Sequence, residues 1–282
     1  MANSAIFATL PQRGDLVVYD ALIHASAHDG LRLGRAEHRS VPHNDPQGFD
    51  DTVSAWRAAG GKGRPWIAVE SLYSMDGDRA PLDDLSTIAR RHDAMLVVDE
   101  AHATGVLGPG GRGLAAHLEG RADVITLHTC GKALGASGAL VCSTGSIRDF
   151  LINRCRPFIY STAPSPLAAA TVRAALALTD AEPRRREHLA RLVRHAGAEI
   201  ERHCEMQPSG SQIQPVNIGD DRRAVAIASR LQARGFDVRA IRPPTVPEGT
   251  SRLRNAITLN VDEAAITSMA QAVAEELQRN TV

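Results

Sequence analysis

Cysteine is sparse and badly spaced for chemistry: Cys130, Cys142, Cys155 and Cys204 include no C-x-x-C pair. That argues against a cysteine-built zinc site or a disulfide frame, and leaves reduced thiols in a cytoplasmic protein as the expectation. Net charge is also missing. The 32 Lys and Arg residues balance 32 Asp and Glu residues, so no general attraction to nucleic acid or to an acidic membrane surface follows. The one basic run, Arg184-Arg185-Arg186, stands between Glu182 and Glu187 and reads as a solvated helix face. No apolar run approaches membrane-spanning length. The first ten residues have no basic segment ahead of their apolar stretch, which argues against a signal peptide. They have instead the texture of a packed helix. Internal repeats and low-complexity segments are absent too.

What is present suits one large and one smaller folded unit. The chain has 282 residues, 43% of them hydrophobic, enough to fill a sizeable core. Short apolar runs predict strands at Asp15–Tyr19, Trp66–Glu70, Met95–Asp99, Val124–His128 and Ala139–Ser143. Between the second and third, Leu82–His92 carries Leu82, Leu85, Ile88 and Ala89 on one helical face. Pro81 suits the first turn of that helix, and Asp83-Asp84 lie where its dipole favours anions. Strands alternating with helices predict a parallel sheet covered on both faces, with ligands beyond the carboxyl ends of its strands. Glu70, Asp99 and Thr129 fall at those ends, and Ser74 and His102 just beyond.

After Pro164 the texture changes. Helices are expected over Pro166–Leu178, Glu187–His203, Arg222–Arg234 and Asp262–Arg279. Strands are expected over Ile213–Ile218, Phe236–Ile241 and Arg252–Leu259. The division expected is therefore 1–179 and 180–282, the second a smaller α/β unit.

Two residues carry chemistry. Asp99 is a carboxylate at the exit of the buried strand Ala94-Met95-Leu96-Val97-Val98, with His102 three residues on. Lys132 lies in the Gly- and Ala-rich turn Thr129-Cys130-Gly131-Lys132-Ala133-Leu134-Gly135, after Val124-Ile125-Thr126-Leu127. A Schiff-base lysine and an acid that keeps a pyridine nitrogen protonated are what pyridoxal 5'-phosphate asks of a protein. His24 and His28 are spaced i, i+4, as a helical metal pair would be, but no accompanying carboxylate motif supports metal binding.

Eight blocks, in order along nearly the whole chain, resemble the α-oxoamine synthases, pyridoxal-phosphate enzymes that condense an amino acid with an acyl thioester and release carbon dioxide. They are His24-Ala25-Ser26, His43-Asn44-Asp45, Glu70-Ser71-Leu72-Tyr73-Ser74-Met75-Asp76-Gly77-Asp78, Val98-Asp99-Glu100-Ala101-His102-Ala103-Thr104-Gly105, Gly110-Gly111-Arg112-Gly113, the Lys132 turn, Ile159-Tyr160-Ser161-Thr162, and Ile241-Arg242-Pro243-Pro244-Thr245-Val246-Pro247 with Arg252-Leu253-Arg254. The closing block is most similar to the branch serving biotin biosynthesis, which condenses L-alanine with a pimeloyl thioester of coenzyme A or a carrier protein.

The resemblance implies an α/β protein of the pyridoxal-phosphate transferase fold type I: a mainly parallel sheet flanked by helices, with a smaller C-terminal domain. It implies Lys132 as the covalent anchor and base, and a lysine needs desolvation or nearby positive charge to act as a base at neutral pH. Asp99 is implied on the ring nitrogen, and His102 and Ser74 on the phenolic oxygen. His24 would stack on the ring and hand a proton to the thioester carbonyl. Thr129 is implied on the phosphate, with Ser161 or Thr162 reaching over from a second subunit of a homodimer. Arg254 would clamp the substrate carboxylate in bidentate fashion. Arg252 competes for that place, with only one of the two expected to face the site, and Thr245 is expected near the substrate. Glu70 is expected near Lys132 without a firm role.

The family carries a segment before the position matching Met1, with a Ser-Gly-aromatic turn that holds the phosphate. Ala2-Asn3 matches the residues just after that turn, so weaker phosphate binding and loss of part of the acyl-donor channel are expected. Three alternatives accompany the reading: another α-oxoamine synthase using glycine or serine, a non-catalytic truncated dimer partner, and an aminotransferase that needs no thioester.

Overall fold

The structure, a computed structural model, describes residues 1–279. These divide into two compact units. Met1–Tyr73 with Arg79–Ala181 make the first, and Ser74–Asp78 with the chain from Glu182 onward make the second.

The first unit is built on a six-stranded sheet. Its strands are β1 (Leu16–Asp20), β2 (Glu37–Val41), β3 (Pro65–Glu70), β4 (Met95–Asp99), β5 (Val124–Thr129) and β6 (Ala139–Cys142), in the order β2-β1-β3-β4-β5-β6. All neighbours pair in parallel except β6, which runs antiparallel at the edge. The central strands are apolar on both faces because both are covered. Leu16, Val18, Ile67, Val69, Leu96 and Val98 pack with α3 (Pro46–Ala58) and α4 (Leu82–Arg91). Val17, Ala68, Met95, Val97, Ile125 and Leu127 pack with α1 (Ala2–Thr9) and α2 (Ala25–Leu33). The remaining helices of this unit are α5 (Gly145–Arg154), α6 (Arg156–Ile159) and α7 (Pro166–Ala181).

Local chemistry explains the helix starts. Asp45 caps α3 through a 3.1 Å bond from Gly48 N, with Pro46 in the first turn. In α4, Asp83-Asp84 and Arg90-Arg91 sit at the ends the dipole favours. Pro81 proves to be the residue just before α4 rather than part of its first turn.

The second unit has a three-stranded antiparallel sheet in the order β7-β9-β8, where β7 is Ile213–Gly219, β8 Arg239–Ile241 and β9 Ser251–Ala256. Its helices are α8 (Pro183–Cys204), α9 (Asp221–Ala233) and α10 (Glu263–Gln278). The strand expected over Phe236–Ile241 is shorter because Val238 N bonds Phe236 O at 2.9 Å, a tight turn that cannot join the ladder. The last strand ends at Ala256, earlier than the expected Leu259. Among the described residues, no helix is long and apolar enough to cross a membrane.

Candidate active site

The two-residue period of a strand decides which strand-end groups meet. Glu70 pairs with Asp99 across β3 and β4, and Thr129 lies two residues beyond Leu127, the β5 partner of Asp99. All three share the parity of Ala68, Val97 and Leu127, and so point to the face covered by α1 and α2. Glu100 has the other parity, and there it ties down the following loop. Its carboxyl accepts bonds from Ser71 Oγ at 2.6 Å and from Leu114 N and Ala115 N at 3.1 and 2.5 Å.

Asp99 is buried with both oxygens engaged. Oδ2 accepts from Asn3 Nδ2 at 2.6 Å and Oδ1 from Ala101 N at 2.8 Å. Asn3 Nδ2 is also 3.2 Å from Ser26 Oγ, which lies 2.8 Å from His24 Nδ1; Ser4 Oγ donates to Ser26 O at 2.8 Å. The start of α1 is thereby fastened to the N-terminus of α2, where exposed His24 is the cap and Nδ1 accepts from Ser26 N. Asn3 is not among the residues expected from the sequence. A lone Asn among apolar residues gives no signal until the helix is placed over the strand ends.

Glu70 is 2% exposed, and its Oε1 has no hydrogen-bond partner among the described residues. Burial, then the neighbouring Asp99 charge, hold its pKa well above the ordinary carboxylate value, while Lys132 and a bond from His24 N pull the other way. Thr129 Oγ1 is likewise buried without a partner among the described residues. Lys132 follows on an exposed turn closed by bonds from Gly135 N to Lys132 O at 3.0 Å and from Ala136 N to Cys130 O at 2.9 Å. His102 lies half-buried on the connection leaving Asp99. The first unit thus gathers Asp99, Glu70, Thr129, Lys132, His24 and His102 around the ends of β3, β4 and β5. Thr162 is exposed on the connection between α6 and α7. His28 packs its ring edge-on to Tyr19, centroids 5.2 Å apart.

Ser74, Thr245 and Arg254 belong to the second unit. Arg254 Nε donates to Ser74 O at 2.7 Å, and burial lowers the pKa of its guanidinium. Thr245 is exposed on the connection from β8 to β9. The expectation that only one of Arg252 and Arg254 would face the same way is corrected. Residues two apart on a strand share a face, and both reach the Ser74–Asp78 segment, Arg252 through an ion pair with Asp76.

A buried row of two carboxyls and a hydroxyl, with a lysine on the next turn, offers an acid for a cationic ring nitrogen, an idle donor for an anion and an amine nucleophile. Residues 1–273 match the sequence model of the family described as aminotransferase class I and II. The chain belongs to that family.

Relatives within it are close. An 8-amino-7-oxononanoate synthase from Anaeromyxobacter dehalogenans is 44% identical over 98% of this chain and 69% of its own length. Another from Aromatoleum aromaticum is 42% identical over 97% of this chain and 70% of its own. Among solved structures, a serine palmitoyltransferase from S. paucimobilis, solved with PLP and myriocin bound, has a TM-score of 0.91 at 28% identity. It is matched over 98% of this chain and 70% of that one. An 8-amino-7-oxononanoate synthase from Francisella tularensis has a TM-score of 0.82 at 27% identity, over 98% and 79%. The fold of these aminotransferase-family enzymes, a mostly parallel sheet flanked by helices, is the fold expected from the sequence.

Proposed function

We propose that this chain is a pyridoxal-phosphate-dependent α-oxoamine synthase that condenses L-alanine with a pimeloyl thioester, of coenzyme A or a carrier protein, to give 8-amino-7-oxononanoate for biotin synthesis. The observation that carries the reading is the buried row Glu70, Asp99 and Thr129 beside Lys132, in a chain whose relatives bear that enzyme's name. The residues fit the cofactor: Thr129 has an uncommitted buried hydroxyl for a phosphate oxygen, and Asp99 is a buried acid held by two N–H donors.

When bound, pyridoxal phosphate supplies an electron sink for charge developing at the amino acid's α-carbon. Lys132 Nζ would hold it covalently and, once released, remove the α-proton and return one to the product. Asp99 would keep the ring nitrogen's proton in place, its carboxylate oriented by Asn3 and Ala101. His102 and Ser74 would hydrogen-bond the phenolic oxygen. His24 would lie over the ring and deliver a proton to the thioester carbonyl oxygen. Arg254 would orient the alanine carboxylate through its guanidinium fork, with Thr245 beside the substrate. Residues 1–179 form the cofactor-binding part in this proposal and 180–282 the smaller domain.

The active form is a homodimer, with Thr162 of one copy completing the phosphate site of the other. Support comes from α5 and α7, in which no residue is fully buried among the described residues. A sister activity with serine is the second reading, favoured by the high TM-score of the serine palmitoyltransferase.

The test is thiol release from pimeloyl-coenzyme A by the purified protein with pyridoxal phosphate and alanine. Release that depends on alanine and disappears in Lys132→Ala is expected. Thiol appearing with serine or glycine but not alanine moves the assignment to the sister activity, and a keto acid formed from alanine without any thioester makes the protein an aminotransferase.

A further inference from the structure

We propose that Arg252 is a positioning residue for amino-acid binding: paired with Asp76, it fixes the Ser74–Asp78 turn on β9 and thereby sets the plane of the Arg254 guanidinium. The proposal rests on the reading of Arg254 as the carboxylate clamp.

Two arginines on one strand face engage two alternate positions of one turn. Arg254 Nε donates to Ser74 O at 2.7 Å, and Arg252 Nη1 donates to Asp76 Oδ1. Arg252 is only 6% exposed, and its Nε donates to Thr250 O at 3.0 Å. A guanidinium so deeply placed is costly without a carboxylate, which makes the Asp76 pair the condition for its being there. The turn is also held from its other side. Gly77 has φ of 68°, and a Cβ there would stand 2.3 Å from Ile213 O and 2.6 Å from Ser211 Oγ, against the start of β7. The turn is therefore fixed by β7 and β9 together, and Ser74 O is a stationary acceptor.

A stationary acceptor matters for Arg254. Its long side chain has many rotamers, and a bond at Nε selects those with the outer Nη1 and Nη2 edge turned away from the turn. That edge is the one an end-on carboxylate uses. Asp76 also cancels the charge of Arg252, so the second guanidinium does not oppose the charge of Arg254, which burial already disfavours. Loosening Arg252 leaves the clamp chemically intact and poorly aimed.

The experiment compares Arg252→Gln, Arg252→Lys, Asp76→Asn and the Arg252→Gln/Asp76→Asn double variant, all loaded with pyridoxal phosphate. Alanine affinity is read from the alanine-induced change in cofactor absorbance, alongside cofactor affinity, kcat, KM and melting temperature. Expected is an alanine dissociation constant raised about tenfold in Arg252→Gln and Asp76→Asn, with KM rising in step and kcat and cofactor affinity within threefold. The double variant is expected to be no worse than the singles, as for residues acting through one contact, and Arg252→Lys to recover part of the loss. Arg254→Lys is the control for the underlying reading. Unchanged alanine affinity in Arg252→Gln beside a weakened Arg254→Lys overturns this proposal and leaves the clamp standing; unchanged affinity in both overturns the two together. A joint fall of alanine affinity, cofactor affinity, kcat and melting temperature makes Arg252 merely structural. Should Arg252→Gln fail to fold, Asp76→Asn carries the same comparison from the more exposed partner.

Discussion

Glu70 holds a proton that the unfolded chain gives up, which makes its effect on stability depend on pH in a fixed direction. Its carboxyl in the folded protein stays protonated well above the ordinary value of 4.5 because it is buried beside Asp99. Above that value the unfolded state binds fewer protons than the folded one, so stability falls as pH rises towards the folded pKa and levels off beyond it. Glu70→Gln cannot titrate and escapes that loss. The melting temperature of Glu70→Gln relative to wild type is therefore expected to rise between pH 5 and pH 8; a difference that stays constant would refute the burial argument. Thr129 makes the complementary case. Its unpartnered hydroxyl contributes nothing to the fold, so Thr129→Val is expected to melt within about 1 kcal/mol of wild type. It should nevertheless lose roughly tenfold in pyridoxal-phosphate affinity by fluorescence titration, the value of about one hydrogen bond to a charged acceptor. At this scale Lys132 is legible from the amino-acid order alone, and lysine is scarce enough to single it out, since the sequence holds only Lys62 besides. Asn3 is not legible, because its contact with Asp99 spans the sheet-to-helix packing rather than a local pattern.

At the scale of elements, the seating of α1 on α2 controls how the site is covered. Gly30, in the middle of α2, lies where a Cβ would stand 2.8 Å from Ser4 Cα and 2.9 Å from Phe7 Cβ. Alanine in a helix interior is ordinarily better than glycine by roughly 0.5–1 kcal/mol. Here the methyl meets backbone that cannot yield, and forced overpacking costs about 1–3 kcal/mol, so the clash wins. Gly30→Ala is expected to lower stability in a denaturant melt, and to weaken cofactor binding by moving Asn3 off Asp99; a variant as stable as wild type, or more so, would show the helices free to separate. The central strands are legible to within about a residue, since burial on both faces leaves little but Val, Ile, Leu, Ala and Met between the turns. β2 is not. Its sequence Glu37-His38-Arg39-Ser40-Val41 is an edge with mostly exposed side chains, so neither an apolar run nor alternation marks it. The helices α2 and α3 are equally hard to read, each carrying an interior glycine, Gly30 and Gly48, that blurs helical texture.

At the scale of the whole molecule, β6, α5, α6 and α7 leave most of their side chains exposed among the described residues, although Val141, Ile147 and Leu151 pack on the core. Scattered apolar side chains on a surface are ordinary, but Leu167 and Leu178 fall on one stripe of α7, three turns apart, and both are exposed, Leu167 at 75%; Phe158, Ile159 and Tyr160 are exposed just ahead of that helix. α7 has 16 residues and none buried. A helix of that length is marginal in water on its own and gains its stability from packing an apolar face. In the proposed homodimer the second copy supplies that packing, and Thr162, on the connection just ahead of α7, is carried to the neighbouring site by the same contact. Burying one leucine is worth about 1.5–3 kcal/mol. In a twofold interface each substitution acts twice, so Leu167→Glu with Leu178→Glu, on one face of α7, should weaken association by more than a hundredfold. Sedimentation velocity at micromolar concentration is expected to give a dimer for the wild-type chain and a monomer for the double variant. The monomer should keep the melting of its β-sheet core, lose helical signal equivalent to about one helix in far-UV circular dichroism, and hold pyridoxal phosphate less tightly. A wild-type monomer that binds the cofactor at full strength would mean that this surface is covered by something other than a second copy, and that each site is complete within one chain.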